Sequence, residues 1–138
     1  VVCACLLHDI GHLLAPDDTG GSGHTNHGAV GAKFLYRLGF NDRVCALIAG
    51  HTQAKRYLCF KIQGYEMQLS PASRITLVAQ GGAMSEHEAR MFEEEPLFKE
   101  MLAVRSYDDM AKRVMVVPEN IDGYRKLIDK FCPRQSAL

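Results

Sequence analysis

The sequence is short of the features that mark several common protein classes. Its 138 residues carry sixteen Lys plus Arg and sixteen Asp plus Glu, so the formal net charge is zero. That balance speaks against broad electrostatic capture of nucleic acid or of an acidic membrane surface, and leaves room for a local basic pocket. No apolar run approaches the roughly 20 residues that a membrane-spanning helix needs. No basic stretch precedes the opening apolar run, as a secretory leader would require. The five cysteines, Cys3, Cys5, Cys45, Cys59 and Cys132, form no Cys-x-x-Cys pair and no regular framework. Their odd number and apolar settings read as free thiols in a reducing compartment, so the expected location is cytoplasmic. The chain also starts with Val1 rather than Met, inside an apolar run with no cap before it, which predicts missing residues upstream.

What is present is helical punctuation. The length suits one domain with a real core. Val1 to Leu14 reads as a mostly buried helix, followed by a loop from Pro16 to Asn26 (PDDTGGSGHTN). A second helix runs from about His27 to Leu38, with Gly39 in the C′ position. Asn41 is the N-cap of a third, which carries Val44, Leu47 and Ile48 and is expected to end at His51. Tyr57 to Leu69 reads as a short helix interrupted near Gly64. Ser70-Pro71 opens another towards Gln80, stopped by Gly81-Gly82. Ser85-Glu86-His87-Glu88 is a capping box opening a helix to about Glu95, and Pro96 starts the next, towards Lys112. Val116-Val117-Pro118 is expected to be extended, and Ile121 to Phe131 a final amphipathic helix. No strand pattern and no internal repeat is visible, so the expected class is all-α.

Four places interrupt this pattern with metal-binding side chains. The stretch LLHDIGH puts His8 and Asp9 at the end of an apolar run with His12 one turn later, and a buried unpaired charge there would cost several kcal/mol. His27 opens the second helix, His51 follows in the third, and Asp108 lies in RSYDD. Imidazole with carboxylate suits Fe, Mn, Zn or Co, whereas an all-oxygen cage would suit Mg or Ca. An Asp beside a ligand His has two oxygens and can bridge two ions, and helix bundles build dinuclear sites from such inward-facing groups. The glycine-rich loop lacks the Gly-Lys-Ser/Thr ending of a P-loop, and reads as a lid over the site or as surface slack.

The combination LLHDIGHLL, HGAVGAKFL, HTQAKRYLC, LSPASRITLVAQGGAMSEHEA and RSYDDMAK resembles the HD-domain superfamily of helical bundles built around a dinuclear metal site. Within it, the chain is similar to the mixed-valent diiron oxygenases that cleave phosphonates, and more distantly to the inositol oxygenases. The resemblance implies two irons, Fe(II) and Fe(III), with O2 as co-substrate. The implied activity is oxidative cleavage of the C–P bond of a 1-hydroxy-2-aminoethylphosphonate, giving phosphate and glycine or an N-methylated glycine. Carried over position by position, His8 and Asp9 are ligands with Asp9 bridging, His27 and His51 complete the second iron, and Asp108 binds the first. His27 is preferred to His24, since H-x-x-x-G-A opening a helix is the family's pattern. His12, Lys55, Ser73, Gln80 and Arg105 match substrate-holding positions, with His12 and Lys55 as catalytic groups. No nucleic-acid or membrane partner is implied.

The residue chemistry agrees with these assignments. Lys55 lies four residues after His51, one turn along a continued helix. A Lys and an Arg beside a metal neutralise a phosphonate, while Ser73 and Gln80 sit two turns apart on one helix. Arg105 is equally suited to pairing with Asp108 or Asp109. The superfamily pattern also has a His upstream of the His-Asp pair, whereas only seven residues precede His8 and none is His. Residues 1–138 are therefore expected to be a single HD domain lacking its N-terminal helix or helices, or a relative with a weakened site. A metal-dependent phosphohydrolase acting on nucleotides or phosphate monoesters, and a non-catalytic metal- or anion-binding protein, stay open beside the oxygenase.

Overall fold

In the computed structural model the described residues are 1–21, 23–112 and 120–132, and all their regular structure is helical. The helices are α1 (Val2–Leu7), α2 (His27–Arg37), α3 (Asp42–Lys61), α4 (Tyr65–Gln68), α5 (Pro71–Ala79), α6 (Glu86–Glu93), α7 (Phe98–Ala111) and α8 (Arg125–Phe131). Short 3₁₀ turns, Ile10–Leu13 and Ile121–Tyr124, follow α1 and precede α8. The fold is all-α, as the sequence predicts. The expected extended connection at Val116 to Pro118 lies outside the described residues.

Three of the helix starts are fixed locally by side-chain caps. The Asn41 side chain accepts the Val44 N–H at 3.0 Å and caps α3. Ser70 caps α5 ahead of Pro71, and Ser85 with Glu88 forms the complete capping box of α6. Gly39, at φ 91°, ends α2 in the left-handed conformation that glycine adopts without a Cβ penalty.

α3 is the axis of the bundle and packs against α1, α2, α6 and α7. Leu47 and Ile48 of α3, Leu35 of α2, Ala4 of α1 and Val104 of α7 are buried where these helices meet, each larger side chain contributing about 1.5–3 kcal/mol by leaving water. At the other end of α3, the rings of Tyr57, Phe92 and Phe98 lie 5.2–5.6 Å apart in tilted and edge-on pairs and seat α6 and the start of α7.

Two expectations need correction. The opening run is not one mostly buried helix to Leu14: α1 stops at Leu7, His8 and Asp9 form a turn, and Leu13 is 85% exposed. Consecutive positions on an α-helix do not face each other, so it is the break at Asp9 (φ −97°, ψ 4°) that brings its carboxylate beside the His8 ring. Nor does His51 end its helix. α3 runs unbroken for 20 residues to Lys61, absorbing the first part of the helix expected from Tyr57. That continuity puts His51 and Lys55 one turn apart on a rigid element.

Candidate metal centre

Each histidine of the centre is aimed by its own turn of backbone. His8 Nδ1 lies 2.8 Å from the Cys5 carbonyl, His27 Nδ1 2.9 Å from that of His24, and His51 Nδ1 2.6 Å from that of Ile48. A carbonyl only accepts, so in all three rings Nδ1 carries the donated proton and Nε2 is the atom that could ligate a metal. The three Nε2 atoms converge on Asp9. They stand 3.3 Å from its Oδ2 (His8) and 3.5 and 3.8 Å from its Oδ1 (His27, His51). Asp108 approaches from α7, with Oδ1 3.5 Å from His8 Nε2.

The donor set calls for cations. His27 Nε2 and His51 Nε2 are only 3.0 Å apart, and with both Nδ1 protons committed to carbonyls this contact sets two lone pairs against each other. Burial pushes both rings down, to about 4 for His27 and about 3 for His51, which keeps them unprotonated and ready to ligate at neutral pH. His8 Nε2 is buried without a hydrogen-bond partner. Burial lowers this ring's basicity, but Asp108 and Asp9 outweigh it and raise the pKa to about 10. A positive charge, proton or metal, is what that position favours. Burial works against the Asp9 charge, yet His8, with His51 and His27 behind it, brings its pKa down to about 2. Among the described residues, His8 with Asp9 and His51, and Asp9 with His12 and His27, bring ligand atoms within 4.8 Å of one another. Asp9 belongs to both groups, as a bridging carboxylate would.

Opposite the histidines, the same cavity has a wall of cationic and hydroxyl side chains. It encloses about 160 Å³ and is lined by Lys55, Ser73, Thr76, Arg105 and Lys112 as well as by Asp9, His12, His27, His51 and Asp108. Lys55 is buried, forms no ion pair among the described residues, and donates to Thr76 Oγ1 at 2.8 Å and the Ser73 carbonyl at 3.3 Å. One of its three N–H donors is left for the cavity. Burial, reinforced by the charge of Arg105, pushes its pKa down to about 8.

Arg105 lines the cavity but is largely committed elsewhere. Its Nε donates to Tyr65 Oη at 3.0 Å, Nη1 to Asp108 at 2.8 Å and Nη2 to Asp109. Asp109 also accepts from Tyr65, so it braces the arginine while Asp108 turns an oxygen to His8. Burial disfavours the Asp108 charge, but His8, Arg105 and Lys112 hold its carboxyl well below the usual range. Two candidates do not line the cavity: His8 lies behind Asp9 and Asp108, while the Gln80 amide donates to the Thr25 carbonyl at 2.8 Å and ties α5 to the loop before α2.

Sequence reasoning did not single out Thr76, Tyr65 or Lys112. Lys112 had a signal, four residues after Asp108 on one helix face. Thr76 and Tyr65 meet their partners across 21 and 40 residues of chain, and local spacing carries no trace of such contacts.

The HD domain family model matches residues 1–81. An uncharacterised protein of Acanthamoeba polyphaga mimivirus is 38% identical over 95% of this chain and 62% of its own length. The [1-hydroxy-2-(trimethylamino)ethyl]phosphonate dioxygenase (glycine-betaine-forming) of Leisingera caerulea is 36% identical over 82% of this chain and 59% of its own. The hydroxymethylphosphonate dioxygenase of Gimesia maris is 38% identical over 80% and 57%. The chain thus spans about three-fifths of the length of the curated relatives it matches. No helix among the described residues is long and apolar enough to cross a membrane.

Proposed function

This chain belongs to the HD-domain family, and on that footing we propose that it is a metal-dependent oxygenase cleaving the C–P bond of a small 1-hydroxyalkylphosphonate. The substrate type is 1-hydroxy-2-aminoethylphosphonate, and the products are phosphate and glycine or an N-methylated glycine. One O2 supplies both added oxygens, one to the new carboxylate and one to phosphate. The observation that carries the reading is the two-sided cavity: imidazole Nε2 atoms and a shared carboxylate face Lys55, Ser73, Thr76 and Arg105. The two relatives named as phosphonate dioxygenases support the substrate class.

His8, Asp9 and Asp108 would hold one iron, and Asp9, His27 and His51 the other. The redox change and the activation of O2 are the chemistry that such a pair supplies when bound. The chain's own groups bind and orient. Lys55 presents its remaining N–H to a phosphonate oxygen, with its ammonium fixed by Thr76 and the Ser73 carbonyl. Ser73 Oγ, 3.0 Å from Ser70 Oγ, offers a hydroxyl on the same wall. Arg105 keeps Asp108 ionised and aimed, and has one N–H on each Nη still available to the anion. His12, stacked on His27 at 3.9 Å between ring centroids, reaches the cavity from the loop side.

The test is phosphate release by the iron-loaded protein from 2-amino-1-hydroxyethylphosphonate and from hydroxymethylphosphonate, with and without O2. Release that requires O2 and disappears in Asp9→Ala is the expected result. Release from phosphate monoesters regardless of O2 would replace this reading with hydrolysis. A preparation holding two irons that releases nothing from either phosphonate would overturn the substrate class.

A further inference from the structure

His12 differs from the other histidines of the centre in where its ring proton sits. His8, His27 and His51 donate from Nδ1 to a carbonyl. His12 instead accepts at Nδ1 the peptide N–H of His24, at 3.0 Å, which leaves its ring proton on Nε2. We infer that the loop before α2 is a positioning device that holds His12, already matched to a substrate-holding position, in the tautomer whose Nε2–H donates to the cavity.

That loop is built around two aspartates. Asp17 accepts the N–H groups of Thr19 at 2.8 Å, Gly23 at 3.2 Å and Gly21, together with the Thr19 hydroxyl at 3.0 Å. Asp18 accepts the Thr25 N–H at 2.6 Å and hydroxyl at 3.0 Å, and its other oxygen stands 3.0 Å from His24 Nδ1. Between them, Gly23 (φ +99°) crosses the His12 ring so closely that a Cβ would lie 2.3 Å from Nδ1. Only glycine lets the chain reach that nitrogen. The peptide groups of His24 then act on both sides: its N–H goes to His12 and its carbonyl accepts from His27 Nδ1 at 2.9 Å. One residue thereby assigns opposite tautomers to two rings stacked within 24° of parallel.

The consequence is chemical. His12 Nε2 lies 3.9 Å from Asp9 Oδ1, near enough on distance alone to join a metal held by Asp9 and His27. A protonated Nε2 has no lone pair to give, so the ligands on that side are Asp9, His27 and His51, and His12 offers N–H to an anionic oxygen beside them. Asp17 and Asp18, which touch neither metal position nor ligand, are positioning residues for that donor. The donor's role toward a bound anion rests on the phosphonate reading; the tautomer does not.

The experiment is ¹⁵N–¹H correlation NMR of the imidazole rings in histidine-labelled protein loaded with zinc, a diamagnetic probe, alongside the affinity for inorganic phosphate. The His12 ring, assigned by its loss in His12→Gln, is expected in the Nε2–H form. His24→Ala keeps it there, because the peptide N–H is unchanged. His24→Pro deletes that N–H, brings in the Nδ1–H form and weakens phosphate binding roughly tenfold. If His24→Pro does not fold, Asp18→Ala is expected to shift the tautomer the same way. A wild-type His12 ring protonated on Nδ1 or bound to zinc overturns the inference, as does an unchanged ring in a folded His24→Pro or Asp18→Ala. A shifted ring with unaltered phosphate affinity overturns the donor role. Failure of the oxygenase reading would show instead as absent O2-dependent turnover, with the ring spectra as expected.

Discussion

Gly11 lies so close to His27 that a Cβ at position 11 would stand 1.9 Å from the His27 carbonyl oxygen. The turn after Asp9 and the first turn of α2 therefore touch backbone to backbone, and this contact sets the separation of Asp9 and His27. Gly11→Ala is expected to cost about 1–3 kcal/mol of stability, as forced overpacking does, and to reduce metal uptake. Urea unfolding and metal content after desalting check the two effects. An unfolding midpoint equal to wild type would contradict the contact.

Asp9 stands among His8, His27 and His51, whereas of these three rings Asp108 reaches only His8. Asp9→Ala is therefore expected to lose both ions and Asp108→Asn only one. Metal analysis of the purified variants measures this. Equal losses would show that Asp9 is not shared.

The Lys55 amine titrates near 8 because burial and the Arg105 charge oppose its protonation; Lys112 adds to the shift, while Cys59 and Asp108 act against it. It is charged below that pH and neutral above it, so binding of sulfate, whose own charge is constant here, should weaken as the pH rises through about 8. Lys55→Met should bind sulfate roughly tenfold more weakly at pH 7 and show no inflection. An inflection that survives in Lys55→Met would assign it to another group.

Glu88 accepts the Ser85 N–H at 2.8 Å and the Arg56 guanidinium at 2.7 Å, which together with the Ser85 hydroxyl lower its pKa from 4.5 to about 2. A depressed carboxyl stabilises the fold above its unfolded value and loses that contribution as the pH falls through its folded value. Glu88→Gln should therefore melt below wild type at pH 7, and the gap should close between pH 4.5 and about 2. A gap independent of pH would mean that the charge contributes nothing.

Legibility in the sequence followed the range of the interactions. Asn41, Ser70 and Ser85 act within three residues of themselves, and the helices they open lie where the pattern places them. The His8-Asp9 pair was visible as chemistry out of place in an apolar run. The break of α1 was not: the close approach that accompanies it, Gly11 against His27 at the start of α2, joins positions 16 apart. Arg105 was legible as either an anion donor or a partner of Asp108 and Asp109; the structure gives the second set of contacts while keeping the residue on the cavity wall. Gln80 shared a helix face with Ser73 on paper, but lies at the C-cap of α5 and turns towards Thr25.

The Nδ1 bonds of His8, His27 and His51 all run to the carbonyl three residues earlier. The aim of each ring is thus a property of a four-residue unit, and belongs to no neighbouring helix. If α2 or α3 slides within the bundle, the imidazoles keep their bearings and only the gaps between them change. Such drift would retune which ion size the centre accepts before it abolished ligation. The aim of these candidate ligands is modular, and their alignment would travel with the turn if one of these units were transplanted into another helix.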